Sequence, residues 1–179
     1  AGKLEKKKAP DVLLNTFMRL DSERVHLVVV GSGPMEDELT DQAQGHPRVH
    51  FLGFQNQSRM PVVYRLGDVF VLPSRGPGET WGLAVNEAMA CGRPVIVTDR
   101  VGCAPDLVDA SNGAVVPPDD AEALRWTLKT LLSDPEQIRD LGRRSAERIE
   151  DWSIEVAAER TAEAVQSVVG RESTRKVGD

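Results

Sequence analysis

Residues 26–30 (HLVVV), 48–54 (RVHFLGF), 68–72 (DVFVL) and 94–98 (PVIVT) are short runs dominated by β-branched and aromatic residues, and residues 113–116 (GAVV) form a shorter one. Between them lie stretches of helical composition at 35–44, 62–66 and 82–91, with one helical turn expected at 105–108. A strand that is apolar on both faces has to be covered on both, and helices alternating with such strands cover a parallel sheet in that way. The pattern predicts an α/β fold with a doubly wound parallel sheet. Ligands bind such sheets beyond the carboxyl ends of the strands, so the loops at 31–34, 54–58, 74–81 and 99–104 are the places to look for a site.

From Asp119 onward the pattern is helical. Leu124, Leu128, Leu131 and Leu132 form one apolar stripe, Ile138, Leu141, Ile149 and Trp152 a second, and Ile154, Ala158, Val165 and Val168 a third. All recur at the three- and four-residue spacing of a helix face. Pro117-Pro118-Asp119-Asp120 and Ser133-Asp134-Pro135 carry helix-start signals. A domain over residues 1–170 is expected, with a flexible polar tail at 171–179.

A chain of 179 residues with 40% hydrophobic and 28% charged residues has the size and composition of one globular domain. Its net charge of −6 and aromatic content of 4% argue against a nucleic-acid surface. No apolar run approaches the ~20 residues of a membrane helix. Cys91 and Cys103 cannot build a disulfide framework, and His26, His46 and His50 lack the spacing of a metal site, so no metal is expected. Two reduced thiols fit a cytoplasmic location.

The strongest chemical feature is Glu79-Thr80-Trp81-Gly82-Leu83-Ala84-Val85-Asn86-Glu87. Glu79 falls in a strand-to-helix loop and Glu87 about one turn inside the helix. Free N–H groups around Thr80–Leu83 would favour an anion, since a helix start carries unsatisfied donors and partial positive charge. Gly82 lets a ligand approach the backbone closely. Glu87 shares its helix face with Leu83 and Cys91, and a carboxylate there needs partners. Sugar hydroxyls would serve; so would a lysine or arginine, with Glu79 simply in solvent. Gly31-Ser32-Gly33 lacks the third glycine of a dinucleotide fingerprint and the lysine of a P-loop, and by itself reads as a tight turn. Lys3, Lys6, Lys7 and Lys8 form either a solvated run or a charge partner for a diphosphate. A glycosidase pair of carboxylates is disfavoured by the anion-attracting helix start and by the lack of an aromatic groove.

Taken in order, these pieces resemble the donor-binding C-terminal domain of retaining GT-B glycosyltransferases, over about residues 2–152. The resemblance rests on Gly2-Lys3-Leu4, Lys8, the Val29–Pro34 glycine turn, Gly53-Phe54, Asp68–Ser74, the glutamate motif, Gly92-Arg93-Pro94 and Pro105-Asp106-Leu107. It implies a nucleotide-sugar donor, a UDP-sugar by default with GDP- or ADP-sugars open, and a hexose-type sugar passed to an acceptor hydroxyl in glycan or glycolipid synthesis. Lys8 and Lys3 would bind the diphosphate, Gly31 and Gly33 would border the nucleoside, and the backbone near Phe54 would meet the base. Glu79 would hydrogen-bond the sugar, Thr80, Trp81, Gly82 and Leu83 would offer N–H groups, and Glu87 would hold the ribose.

The chain departs from the family pattern at Thr80-Trp81, where glycine–phenylalanine is commoner, and at Lys3, where arginine is usual. The resemblance also implies a partner, the N-terminal acceptor domain, that this sequence lacks, together with most of the strand ahead of Ala1. The expectation is therefore half of an enzyme, inactive alone, whose whole form is cytoplasmic or peripheral at the inner membrane. Competing readings are a noncatalytic nucleotide-binding module and another GT-B enzyme such as an epimerase or phosphorylase.

Overall fold

The computed structural model describes residues 1–76 and 78–175, with residues 170–175 described by their backbone alone. In chain order the elements are α1 (Pro10–Met18), β1 (Leu27–Val29), α2 (Glu36–Ala43), β2 (Val49–Phe51), α3 (Met60–Leu66), β3 (Phe70–Leu72), α4 (Leu83–Ala90), β4 (Val95–Thr98), α5 (Ala104–Leu107), β5 (Gly113–Val116), α6 (Ala121–Leu132), α7 (Pro135–Glu150) and α8 (Ile154–Arg175), with 3-10 turns at Lys6–Lys8 and Gln57–Arg59. The alternation expected from the apolar runs is present, and every strand pairing is parallel.

β4 shows why the strands read as uninterrupted apolar runs: all its residues are buried. Val95 and Val97 pack with Val85, Ala88 and Met89 of α4 on one face. Ile96 packs with Leu124 and Leu128 of α6 on the other. Each such aliphatic side chain contributes about 1.5–3 kcal/mol on burial, so both helical layers are needed to hold the sheet.

The hydrogen-bonded ladder is divided into β1-β2 and β3-β4-β5. The opening segment runs parallel to residues 30–32 on the edge of β1 away from β2. There the Gly2 N–H donates to the Val30 carbonyl and the Leu4 N–H to the Ser32 carbonyl, both at 2.9 Å. Among the described residues no ladder joins β1 to β3. A cavity of about 50 Å³ lies between Val28 and Val30 on one side and Val71 and Leu72 on the other.

β2 is shorter than its apolar run because Gly53 adopts φ +58° and bends the chain out of the ladder. Asp120 caps α6 by accepting from the Ala123 N–H, and Asp134 caps α7 by accepting from the Glu136 and Gln137 N–H groups. The three helical stripes have different fates. Leu124, Leu128 and Leu131 are buried in the core, and Leu141 is buried between partly covered Ile138 and Ile149. The third faces solvent, with Ile154, Val165 and Val168 at 84%, 56% and 63% exposure. α8 carries the backbone to Arg175. The remainder of the expected tail, residues 176–179, lies outside the described residues.

Candidate active site

Two carboxylates mark two neighbouring parts of the site. Glu79 follows β3 in the loop that leads into α4. Ser74, fully buried at the end of β3, accepts from the Thr98 hydroxyl through its carbonyl at 2.5 Å and donates its own hydroxyl to Glu79 Oε2 at 3.3 Å. Lys8 Nζ meets the same Oε2 at 2.7 Å, and the two side chains are only 19% and 10% exposed. Lys8 is brought there by the 3-10 turn Lys6–Lys8, which Arg75 fastens. The Arg75 N–H donates to the Lys7 carbonyl at 2.8 Å, and its guanidinium reaches Asp11 at 2.7 Å and Asp119 at 2.6 Å. These two carboxylates push the guanidinium pKa upward.

The loop at 99–104 pins the glutamate loop from the other side. The Gly102 N–H donates to the Glu79 carbonyl at 3.0 Å and the Cys103 N–H to the Trp81 carbonyl at 2.9 Å. A Cβ on Gly102 would stand 1.8 Å from the Thr80 carbonyl oxygen, so only glycine permits this contact. Burial raises the Cys103 thiol to about 11, which makes it a packing group at neutral pH.

Gly82 caps α4 in the left-handed region at φ +96°, and a Cβ there would meet Val101 at 2.7 Å. Its role is the turn and the close packing beneath it. Leu83, at the first turn of α4, is 68% exposed, and Thr80 is exposed. Trp81 donates from Nε1 to Asn86 Oδ1 at 2.9 Å and stacks at a tilt on Trp152, with centroids 5.5 Å apart.

Glu87 faces a cavity of about 500 Å³ also bordered by Lys3, Gly31, Gly33 and Phe54. Thr80, Trp81, Gly82, Leu83, Glu79 and Lys8 lie outside that lining. The cation considered as the partner of Glu87 is replaced by two neutral donors: the Tyr64 hydroxyl at 2.7 Å on Oε2 and the Gln57 amide at 2.8 Å on Oε1. Gly31 and Gly33 border the cavity and also admit the opening segment of the chain. Cβ atoms there would come within 1.9 Å of the Gly2 carbonyl oxygen and 2.4 Å of the Leu4 carbonyl oxygen. Phe54 stands at the rim, 76% exposed. Lys3 borders the cavity; its side chain is 64% exposed and its ammonium pairs loosely with Glu5 at 3.6 Å.

Sequence reading missed Tyr64, Gln57, Ser74 and Arg75. For Tyr64 a signal existed: it is the chain's single tyrosine, inside an apolar helical stretch where a buried hydroxyl needs an acceptor. The histidines, scattered in sequence, are partly gathered in space, with His26 Nδ1 and His50 Nε2 2.9 Å apart. Among the described residues no group of three or more His, Cys, Asp or Glu could hold a metal ion. Among the same residues no helix is long and apolar enough to cross a membrane.

The family model for glycosyl transferases group 1 matches residues 1–134. The chain belongs to this family. The sulfoquinovosyl transferase SQD2 of Arabidopsis thaliana is 33% identical over 157 residues, covering 84% of this chain and 30% of its own length. The sucrose-phosphate synthase of Thermosynechococcus elongatus superposes with a TM-score of 0.82 at 27% identity, over 96% of this chain and 45% of that one. Anabaena HepE, solved in complex with UDP, gives a TM-score of 0.80 at 24% identity over 93% of this chain and 47% of its own. This glycosyltransferase chain spans less than half the length of each of these relatives, and its fold is that of a GT-B Rossmann-like domain.

Proposed function

We propose that this chain is the donor-binding half of a retaining glycosyltransferase that takes a hexose-type sugar from a nucleoside diphosphate to an acceptor hydroxyl. The observation that carries the reading is the Glu87 carboxylate on the wall of a cavity of about 500 Å³ whose lining includes Gly2, where a Cβ would stand 3.8 Å from Nζ of Lys8, the partner of Glu79. Pockets that bury a small ligand run from about 300 to 1,000 Å³, which suits a nucleoside.

Ribose hydroxyls donate to Glu87, and the base reaches the rim near Phe54. The diphosphate lies toward Lys8 and Lys3 and the N–H groups of Thr80, Trp81, Gly82 and Leu83. Glu79, held by Lys8 and Ser74, presents its free oxygen to sugar hydroxyls. When the bond from the anomeric carbon to the diphosphate breaks, charge grows on the leaving oxygens. Ammonium groups and helix N–H groups already in place stabilise it, which is electrostatic catalysis. A UDP-sugar is the donor this reading favours, supported by the UDP bound to the HepE fold. The acceptor wall belongs to an N-terminal domain, so the chain alone binds donor and transfers no sugar, because positioning of the acceptor is a large share of the rate.

Calorimetric titration with UDP, GDP, ADP and their hexose conjugates tests the binding. A transfer assay with and without a supplied N-terminal half tests the division of labour. Failure of every nucleotide to bind, or robust transfer by this chain alone, overturns the reading.

A further inference from the structure

The two donors on Glu87 differ in kind. Tyr64 is 5% exposed, its ring held edge-on against Phe70 with centroids 5.6 Å apart. Burial and the adjoining carboxylate push its hydroxyl well above the ordinary tyrosine range, so it stays a proton donor. Gln57 sits in the surface turn Gln57–Arg59 and is exposed. Both border the large cavity. A carboxylate offers about four lone-pair sites; these neighbours take one on each oxygen of a side chain that borders the cavity, so each oxygen keeps capacity for a further donor.

We infer that Tyr64 is a positioning residue that fixes the Glu87 carboxylate, and that Gln57 is an exchangeable occupant standing where a ligand hydroxyl binds. Nucleotides with and without the vicinal ribose diol read these two roles out. The inference rests on the proposed ribose role of Glu87. With Tyr64 holding Oε2, the carboxylate cannot rotate freely, so its remaining lone pairs point in fixed directions. Gln57 satisfies Oε1 in the empty site and swings into solvent when a hydroxyl arrives, at the cost of one exposed hydrogen bond.

The test is calorimetric titration with UDP and 2′,3′-dideoxy-UDP, with the GDP and ADP pairs in parallel, on the wild-type chain, Tyr64→Phe, Gln57→Ala and Glu87→Gln. The wild type should prefer the diol by about tenfold or more, the scale of a hydrogen bond to a charged group. In Tyr64→Phe that preference should fall at least about threefold through weaker diol binding, with the dideoxy nucleotide unaffected. A preference equal to wild type, including equal weakening of both ligands, overturns the positioning role. Gln57→Ala should bind the diol at least as tightly as wild type; weaker binding overturns the exchangeable role.

Because Tyr64 is the chain's single tyrosine, 3-fluorotyrosine labels this position alone and keeps the hydroxyl. Its fluorine resonance should move on saturation with UDP and stay in place with the dideoxy analogue, and equal responses overturn the inference even if Tyr64→Phe does not fold. Absence of diol preference in both wild type and Glu87→Gln overturns the ribose reading itself. A preference lost in Glu87→Gln and kept in Tyr64→Phe overturns only the inference.

Discussion

Lys8 and Glu79 are 71 residues apart in sequence and meet at 2.7 Å in a nearly closed environment. The residues expected to serve the diphosphate and the sugar separately are one unit. Lys8 has three donors and spends one on Glu79, so phosphate oxygens can take the others without breaking the pair. Ser74 holds the same carboxylate oxygen, so in the proposed arrangement the opposite one is the acceptor for the sugar.

Lys8→Ala should therefore act twice. It leaves a mostly buried carboxylate without its cation, destabilising the fold by about 1–3 kcal/mol, and it removes a phosphate partner. Diphosphate affinity should fall and become less sensitive to salt, while affinity for the unphosphorylated nucleoside holds. Nucleoside bound as tightly as diphosphate by the wild type would remove Lys8 and Lys3 from the diphosphate site and leave Lys8 as the structural partner of Glu79.

Glu87→Gln keeps the shape of the side chain and removes its charge. Nucleotide binding should weaken by about 1.5–3 kcal/mol with the melting temperature nearly unchanged. Unaltered affinity in calorimetry would remove Glu87 from the site.

Gly102→Ala tests the clamp on the glutamate loop. Its Cβ would have to displace the Thr80 carbonyl from 1.8 Å, a backbone atom with little freedom to move. A loss of about 1–3 kcal/mol in chemical denaturation is expected, as for overpacking elsewhere, together with weaker nucleotide binding. Wild-type values of both would show that the loop yields readily.

Acid should loosen the attachment of α7 to the turn ahead of β5. Hydrogen bonds from Ser111 and the guanidinium of Arg148 hold Asp109 at about 2, below its ordinary 3.8. The ionised group therefore stabilises the fold above pH 3.8, and that contribution is lost as pH falls toward about 2. The carboxylate is 53% exposed, so screening keeps the effect small. Thermal melts of Asp109→Asn should be lower than wild type at neutral pH and converge with it in acid; parallel curves would refute the assignment.

Because the apolar stripe of α8 faces solvent, the chain should self-associate as its concentration rises, and removing residues 154–179 should abolish that association while leaving the melting temperature nearly unchanged. Sedimentation velocity reads the association. A large fall in melting temperature would instead mean that α8 braces its own domain.

The sequence by itself determined the layered architecture. A strand such as 94–98 has no polar face to offer water, so it must be covered on both sides, and helices between such strands do that in any chain with this pattern. It also determined where the glutamate motif would sit, because a loop between an apolar strand and a helix has few places to go. What only the tertiary structure decided is which partners those residues have. Lys8 with Glu79, Tyr64 with Glu87, and Arg75 with Asp11 and Asp119 are contacts between segments distant in the chain. Periodicity reports burial along one element and carries no information about which side chain arrives from another. The same limit applies to the glycines: Gly31 and Gly33 read as a turn, while the approach of Gly2 and Leu4 that forbids any side chain there exists only once the N-terminal segment is laid along β1.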